Sequence, residues 1–265
     1  MVTGSARARA ALLLGFVVAA AAVLVMKPAS AKPEASSVVA ASPAVCTLTG
    51  TAGDDTLVGT AGDDVICGLA GNDRLVGLGG NDQLFGDEGD DSMDGGAGVD
   101  ELRGGAGADA MFGAAGDDVM YGEAGNDRLR GGTGNDGMDG GTDNDQMFGF
   151  DGNDRLFGNA GNDRLFGEAG RDRVLGGAGD DVVDGGADVD DVRGGAGNDV
   201  VDGKAGQDSV QGETGNDRLF GGDDQDRLFG GSGNDALDGG PADDRCDGGT
   251  DVDTGVNCEV LIDIP

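Results

Sequence analysis

The sequence predicts an all-β solenoid, on three observations: a strict nine-residue period, one apolar side chain per period, and a glycine and an aspartate fixed in every period. Written in nines from Gly50, the chain reads GTAGDDTLV, GTAGDDVIC, GLAGNDRLV, GLGGNDQLF and onward to GGPADDRCD at Gly239–Asp247. That is 22 repeats without an insertion or deletion. A fixed period decides the architecture before any local motif does. Position 1 is Gly and position 6 is Asp in all 22 repeats, position 4 is Gly in 18, and position 5 is Asn or Asp in 16. Asp143, Asp188, Asp224 and Ala242 are the departures at position 4.

Each column has a physical task. An apolar residue at position 8 between variable neighbours describes a three-residue strand whose middle side chain points inward. One inward side chain per nine residues cannot bury a core alone, but stacked copies can. Gly at positions 1 and 4, with Asn or Asp at 5, predicts a turn that visits positive φ at those glycines. Two strands and two turns make a coil of 18 residues, so 22 repeats give about 11 coils, with odd and even repeats building separate sheets. At ~4.8 Å per strand the stack is roughly 50 Å long.

Composition narrows the chemistry. The chain has 265 residues, with 57 Gly, 51 Asp or Glu, 17 Lys or Arg, and no His or Trp. His catalysis and His-ligated metals are excluded. A formal charge of -34 argues against nucleic acid and anionic membrane surfaces as partners. No G-x-S-x-G elbow occurs, and Gly230-Gly231-Ser232-Gly233-Asn234 fails at its last place. Paired acids such as Asp54-Asp55 and Asp180-Asp181 recur in register, which marks them as turn and ligand residues rather than a hydrolytic pair. The chain is therefore read as a non-enzyme.

The position-6 column asks for cations. Stacking places one carboxylate above another a few Å apart, and such a ladder repels itself unless a hard divalent ion lies between. Calcium accepts 6–8 oxygen ligands in flexible geometry, and glycine-rich turns expose carbonyls to complete its shell; magnesium ranks second. The candidate ligands are Asp55, Asp64, Asp73, Asp82, Asp91, Asp100, Asp109, Asp118, Asp127, Asp136 and Asp145, continuing through Asp154, Asp163, Asp172, Asp181, Asp190, Asp199, Asp208, Asp217, Asp226, Asp235 and Asp244. If each site joins a repeat to the one two further on, the ceiling is 20 ions, carrying +40. Removal of residues 1–31, with three basic and no acidic residues, would leave -37 to be balanced.

These repeats resemble the hemolysin-type calcium-binding repeat, or repeats-in-toxin (RTX) nonapeptide, family. The likeness is clearest in Gly131-Gly132-Thr133-Gly134-Asn135-Asp136, Gly194-Gly195-Ala196-Gly197-Asn198-Asp199 and Gly230-Gly231-Ser232-Gly233-Asn234-Asp235. It covers residues 50–247 and implies a parallel β-roll that binds calcium between successive turns through the position-6 Asp and turn carbonyls, disordered without the ion. Position 2 is Gly in only 10 repeats and holds Leu69, Leu78, Phe150 or Lys204 elsewhere, so those coils are expected to bind weakly.

The flanks and outer face complete the reading. Arg7 and Arg9, an apolar run from Ala10 to Met26 and Ala29-Ser30-Ala31 describe a cleaved secretory signal over residues 1–31, which predicts a secreted, extracellular protein. Residues 32–49 form a linker and N-terminal cap. Residues 248–265, with Asp251-Val252-Asp253, form a partial repeat and C-terminal cap. The four cysteines allow three pairings. Cys46 with Cys67 and Cys246 with Cys258 is the favoured one, since the two ends lie ~50 Å apart. Phe85, Phe112, Phe148, Phe157, Phe166, Phe220, Phe229 and Tyr121 occupy the outward position 9, and Arg155, Arg164, Arg218 and Arg227 precede four of them by two residues. Stacked aromatic and Arg ladders are one expectation for that face, and a binding surface for an extracellular partner is the other. Thr at the outward position 7 occurs only at Thr56 within the 22 repeats, which argues against an ice-binding row.

Overall fold

A computed structural model of the chain describes residues 45–262. The predicted signal peptide and the linker up to residue 44 lie outside the described residues. The described part is an all-β parallel solenoid of about 12 turns. Strands β1 (Leu48–Thr49) and β2 (Thr56–Val58) are followed by β3 (Val65–Ala70), and a six-residue strand then begins every nine residues as far as β21 (Arg227–Ser232). The series closes with β22 (Ala236–Asp238), β23 (Arg245–Thr250), β24 (Thr254–Val256) and β25 (Val260–Ile262). Odd strands form a 13-stranded sheet and even strands a 12-stranded sheet, in strict order.

The register is uniform. Leu129 pairs with Met147, and Met147 with Leu165, each 18 residues on. Position 8 therefore stacks into two columns that meet between the sheets. From Ile66 to Cys246 every position-8 side chain is at most 2% exposed. A single Leu, Met or Val per nonapeptide is enough because each lies against copies above and below it and against the facing column.

Two local expectations are corrected. The strands are six residues long rather than three, running through positions 7–9 and on through positions 1–3 of the next repeat. The left-handed φ also falls at positions 2 and 4, not 1 and 4. Gly132 and Gly134 have φ of 121° and 131°, whereas Gly131 at position 1 does not enter that region. Gly is invariant at position 1 for lack of space. At Gly185 a Cβ would lie 2.7 Å from Asp190 Oδ2 and 2.9 Å from the Gly203 carbonyl oxygen. Position 2 accepts larger residues at a conformational cost: Leu69, Phe150 and Lys204 take φ of 84°, 74° and 77°.

The ends depart from the repeat. Cys46 occupies the place of a position-6 Asp and is bonded to Cys67, with Cα atoms 6.0 Å apart. Cys246 is bonded to Cys258, at 5.9 Å. These are the favoured pairings. The last strand arrives early: Val260 pairs with Arg245, 15 residues away instead of 18.

Candidate calcium-binding turns

The position-6 aspartates form two stacked columns, one N-terminal to the strands of each sheet. From Asp64 to Asp253 their side chains are only 1–7% exposed. The fixed register brings each carboxylate to the backbone of the preceding turn. The N–H of Asp118 donates to Oδ1 of Asp136 at 2.8 Å, and the N–H of Asp172 donates to Oδ1 of Asp190 at the same distance. This bond repeats along both columns and commits one carboxylate oxygen of each residue from Asp73 to Asp253.

The other oxygen is left bare. From Asp73 to Asp253, Oδ2 is buried without a hydrogen-bond partner at 21 positions. A desolvated carboxylate oxygen without a partner is costly, and buried charges are normally paired or bound to metal. At most such turns Oδ2 and the carbonyl oxygen of the next coil both border the space that a side chain at the position-1 Gly would fill. Asp190 Oδ2 and the Gly203 oxygen converge over Gly185 in this way. Oxygens from carboxylate and backbone are the donors a hard cation prefers. Among the described residues no three acidic or Cys side chains gather at one point, so backbone oxygens must complete any ligand shell.

Burial also shifts the carboxyls. Desolvation, opposed by the backbone hydrogen bond and assisted by like charge in the column, raises Asp154 to about 6, Asp118 and Asp145 to about 7, and Asp190 to about 8. A cation between them favours the ionised form instead.

A second ladder runs alongside in the opposite sense. The N–H and Nδ2 of Asn153, at position 5, donate to Oδ1 of Asn135 in the preceding turn at 3.0 and 2.9 Å. Asn198, Asn216 and Asn234 continue the same pattern. The sequence marked position 5 only as a turn former.

The family model of the RTX calcium-binding nonapeptide repeat matches the chain in overlapping segments that span residues 47–254. The chain belongs to this family. RTX repeats bind several calcium ions, and the 21 open Oδ2 atoms fit that chemistry. Among solved structures, this RTX chain is similar to a hyperactive, Ca2+-dependent, β-helical antifreeze protein from an Antarctic bacterium, at 22% identity over 80% of this chain and 79% of that chain, with a TM-score of 0.35. No curated protein sequence matches it.

Not every candidate Asp stands alike. Asp55 and Asp64 have Oδ2 already occupied: the N–H and hydroxyl of Thr51 donate to Asp55 at 2.6 and 2.8 Å, and those of Thr60 donate to Asp64 at 2.6 and 3.0 Å. Asp253, outside the 22 repeats, has the open arrangement, and its place nine residues after Asp244 was the signal for it. At the far end Asp244 donates its N–H to Glu259 at 2.6 Å, since Ile262 holds the place where the column would supply an Asp.

The outer faces are only partly laddered. Phe148 and Phe166 stack at 5.0 Å, and Arg103 lies 4.5 Å from the Tyr121 ring centroid. Elsewhere Asp or Arg separates the rings in register, as Arg130 separates Phe112 from Phe148.

Proposed function

We propose that this RTX protein is secreted and folds when calcium binds between successive turns, serving as a non-catalytic structural or interaction module. The observation that carries the reading is the run of buried, partnerless Oδ2 atoms from Asp73 to Asp253. In two columns of eleven and ten they leave ten and nine gaps between neighbours, each flanked by Asp residues 18 apart. The proposed ligands in each gap are the flanking position-6 carboxylates and the turn carbonyls. Two disulfides fit an oxidising compartment, where calcium is abundant. Far-UV circular dichroism of the oxidised chain in chelator, titrated with calcium and separately with magnesium, tests this. A cooperative gain of β signal with calcium is expected, and a full β signal in chelator at neutral pH that ignores calcium would refute it.

A surface-recognition role on the same scaffold is the second reading, favoured by the 12-stranded sheet. Phe112 and Phe220 are 41% and 38% exposed there, and a groove of about 250 Å³ lies among Arg74, Ser92, Ala110, Phe112 and Arg128. Retention of the calcium-loaded protein on a cell surface, lost on changing Phe112 and Phe220 to Ser, would support it. Equal retention by the variant would exclude that face.

A further inference from the structure

The turns of this chain are of two kinds. In most, position 2 is left-handed, as at Leu69 (φ 84°) and Leu78 (φ 80°), and the position-6 Oδ2 is bare. At the first two, position 2 is Thr51 or Thr60, which keep out of the left-handed region, and neither Gly53 nor Gly62 enters it at position 4. The change of φ turns the position-2 N–H onto Oδ2 of the same repeat, and the Thr hydroxyl joins it. The Thr60 hydroxyl also accepts the N–H of Gly62 at 3.2 Å, closing the loop on itself. At Asp64 the remaining oxygen accepts from the Thr47 hydroxyl at 3.3 Å. Both oxygens are then satisfied by the protein alone.

We infer that Thr51 and Thr60 stand in for the ion, so that the first two turns form a calcium-independent cap and ion binding begins at Asp73. The inference rests on the reading that open Oδ2 atoms take calcium. The remaining requirements of a metal-free cap are present at the same end. Leu48, Leu57, Ile66 and Leu75 pack together, and the Cys46–Cys67 disulfide crosses the first coil, the kind of covalent tie that a core this small needs. The sequence repeats GTAGDD at Gly50–Asp55 and Gly59–Asp64 and nowhere else, so the device is confined to one end.

Hydrogen exchange on the full oxidised chain in chelator tests the cap directly. The amides of residues 47–66 are expected to stay protected while those beyond Asp82 exchange freely and gain protection with calcium. Exchange of residues 47–66 as fast as the rest would overturn the inference. Native mass spectrometry in calcium tests the ligand assignment: Asp64→Asn should bind as many ions as the parent chain, whereas Asp82→Asn should lose one. Loss of an ion in Asp64→Asn would also overturn it. Thr60→Val, which removes only the hydroxyl, should lower protection at residues 47–66 without changing the ion count. No calcium uptake by the parent chain would defeat the calcium reading, whereas protection of residues 47–66 in chelator would still establish the cap.

Discussion

The backbone N–H of Asp136 donates to Oδ1 of Asp154, 2.8 Å away and 18 residues on, while the Asp154 Oδ2 is buried without a partner. One oxygen of the Asp154 carboxylate holds the register and the other is left open. The two tasks separate under mutation. Asp154→Asn keeps an acceptor for Asp136 but loses the anionic oxygen. In chelator the variant should keep its β structure to a higher pH than the parent, because a carboxyl that would have to ionise in the buried column is gone. In saturating calcium it should be less stable and bind fewer ions. Circular dichroism against pH in chelator, and thermal unfolding in calcium, check the change of sign.

Acid should substitute for calcium. Burial raises Asp136 to about 6 and Asp190 to about 8, against 3.8 for the free side chain, and raises Asp163 in the same direction. A folded-state value above the unfolded one means that the folded chain holds more protons, so stability falls as pH rises between the two. In chelator the roll should be most stable near pH 4 and lose structure as pH climbs through 6 to 8. Calcium affinity should move the opposite way and weaken below pH 6, because protons compete for the same oxygens. Circular dichroism against pH, with and without calcium, checks both trends.

Two glycine columns should answer oppositely to substitution. Gly185→Ala drives a methyl against Asp190 Oδ2 and the Gly203 oxygen, and should cost about 1–3 kcal/mol with loss of a neighbouring ion. Phe150→Gly relieves a left-handed non-glycine residue with φ of 74°, and should stabilise the calcium-loaded roll by up to about 1 kcal/mol. Calorimetry in saturating calcium distinguishes them.

Removing the terminal carboxylate should fray one end only. Glu259→Ala leaves the Asp244 N–H without its acceptor, at a cost of about 1 kcal/mol. Hydrogen exchange should rise over residues 236–262 and stay unchanged at residues 100–200.

The sheets, the core column and the acidic columns were legible in the sequence because each follows from the period alone: Leu129 and Asp127 recur wherever the coil repeats. The use of glycine was not. Composition shows that position 1 tolerates only Gly, but not whether the cause is φ or space, and Leu69 and Phe150 at position 2 concealed the left-handed site. The aromatic ladder is confined to Phe148 and Phe166 because within one sheet other side chains fall between the rings, as Arg130 does between Phe112 and Phe148. Thr51 and Thr60 looked like two more variable residues, since the pattern records side chains and not the direction of an N–H.

The uniform 18-residue register makes the molecule a mechanical element. Each coil touches only those next to it, so tension applied through the chain ends peels it one coil at a time from a terminus. Every step inside the disulfide-tied end coils releases roughly 60 Å of extended chain. With ions bridging the coils as proposed, the force at each step should rise with free calcium, which pulling single molecules in chelator and in calcium would measure.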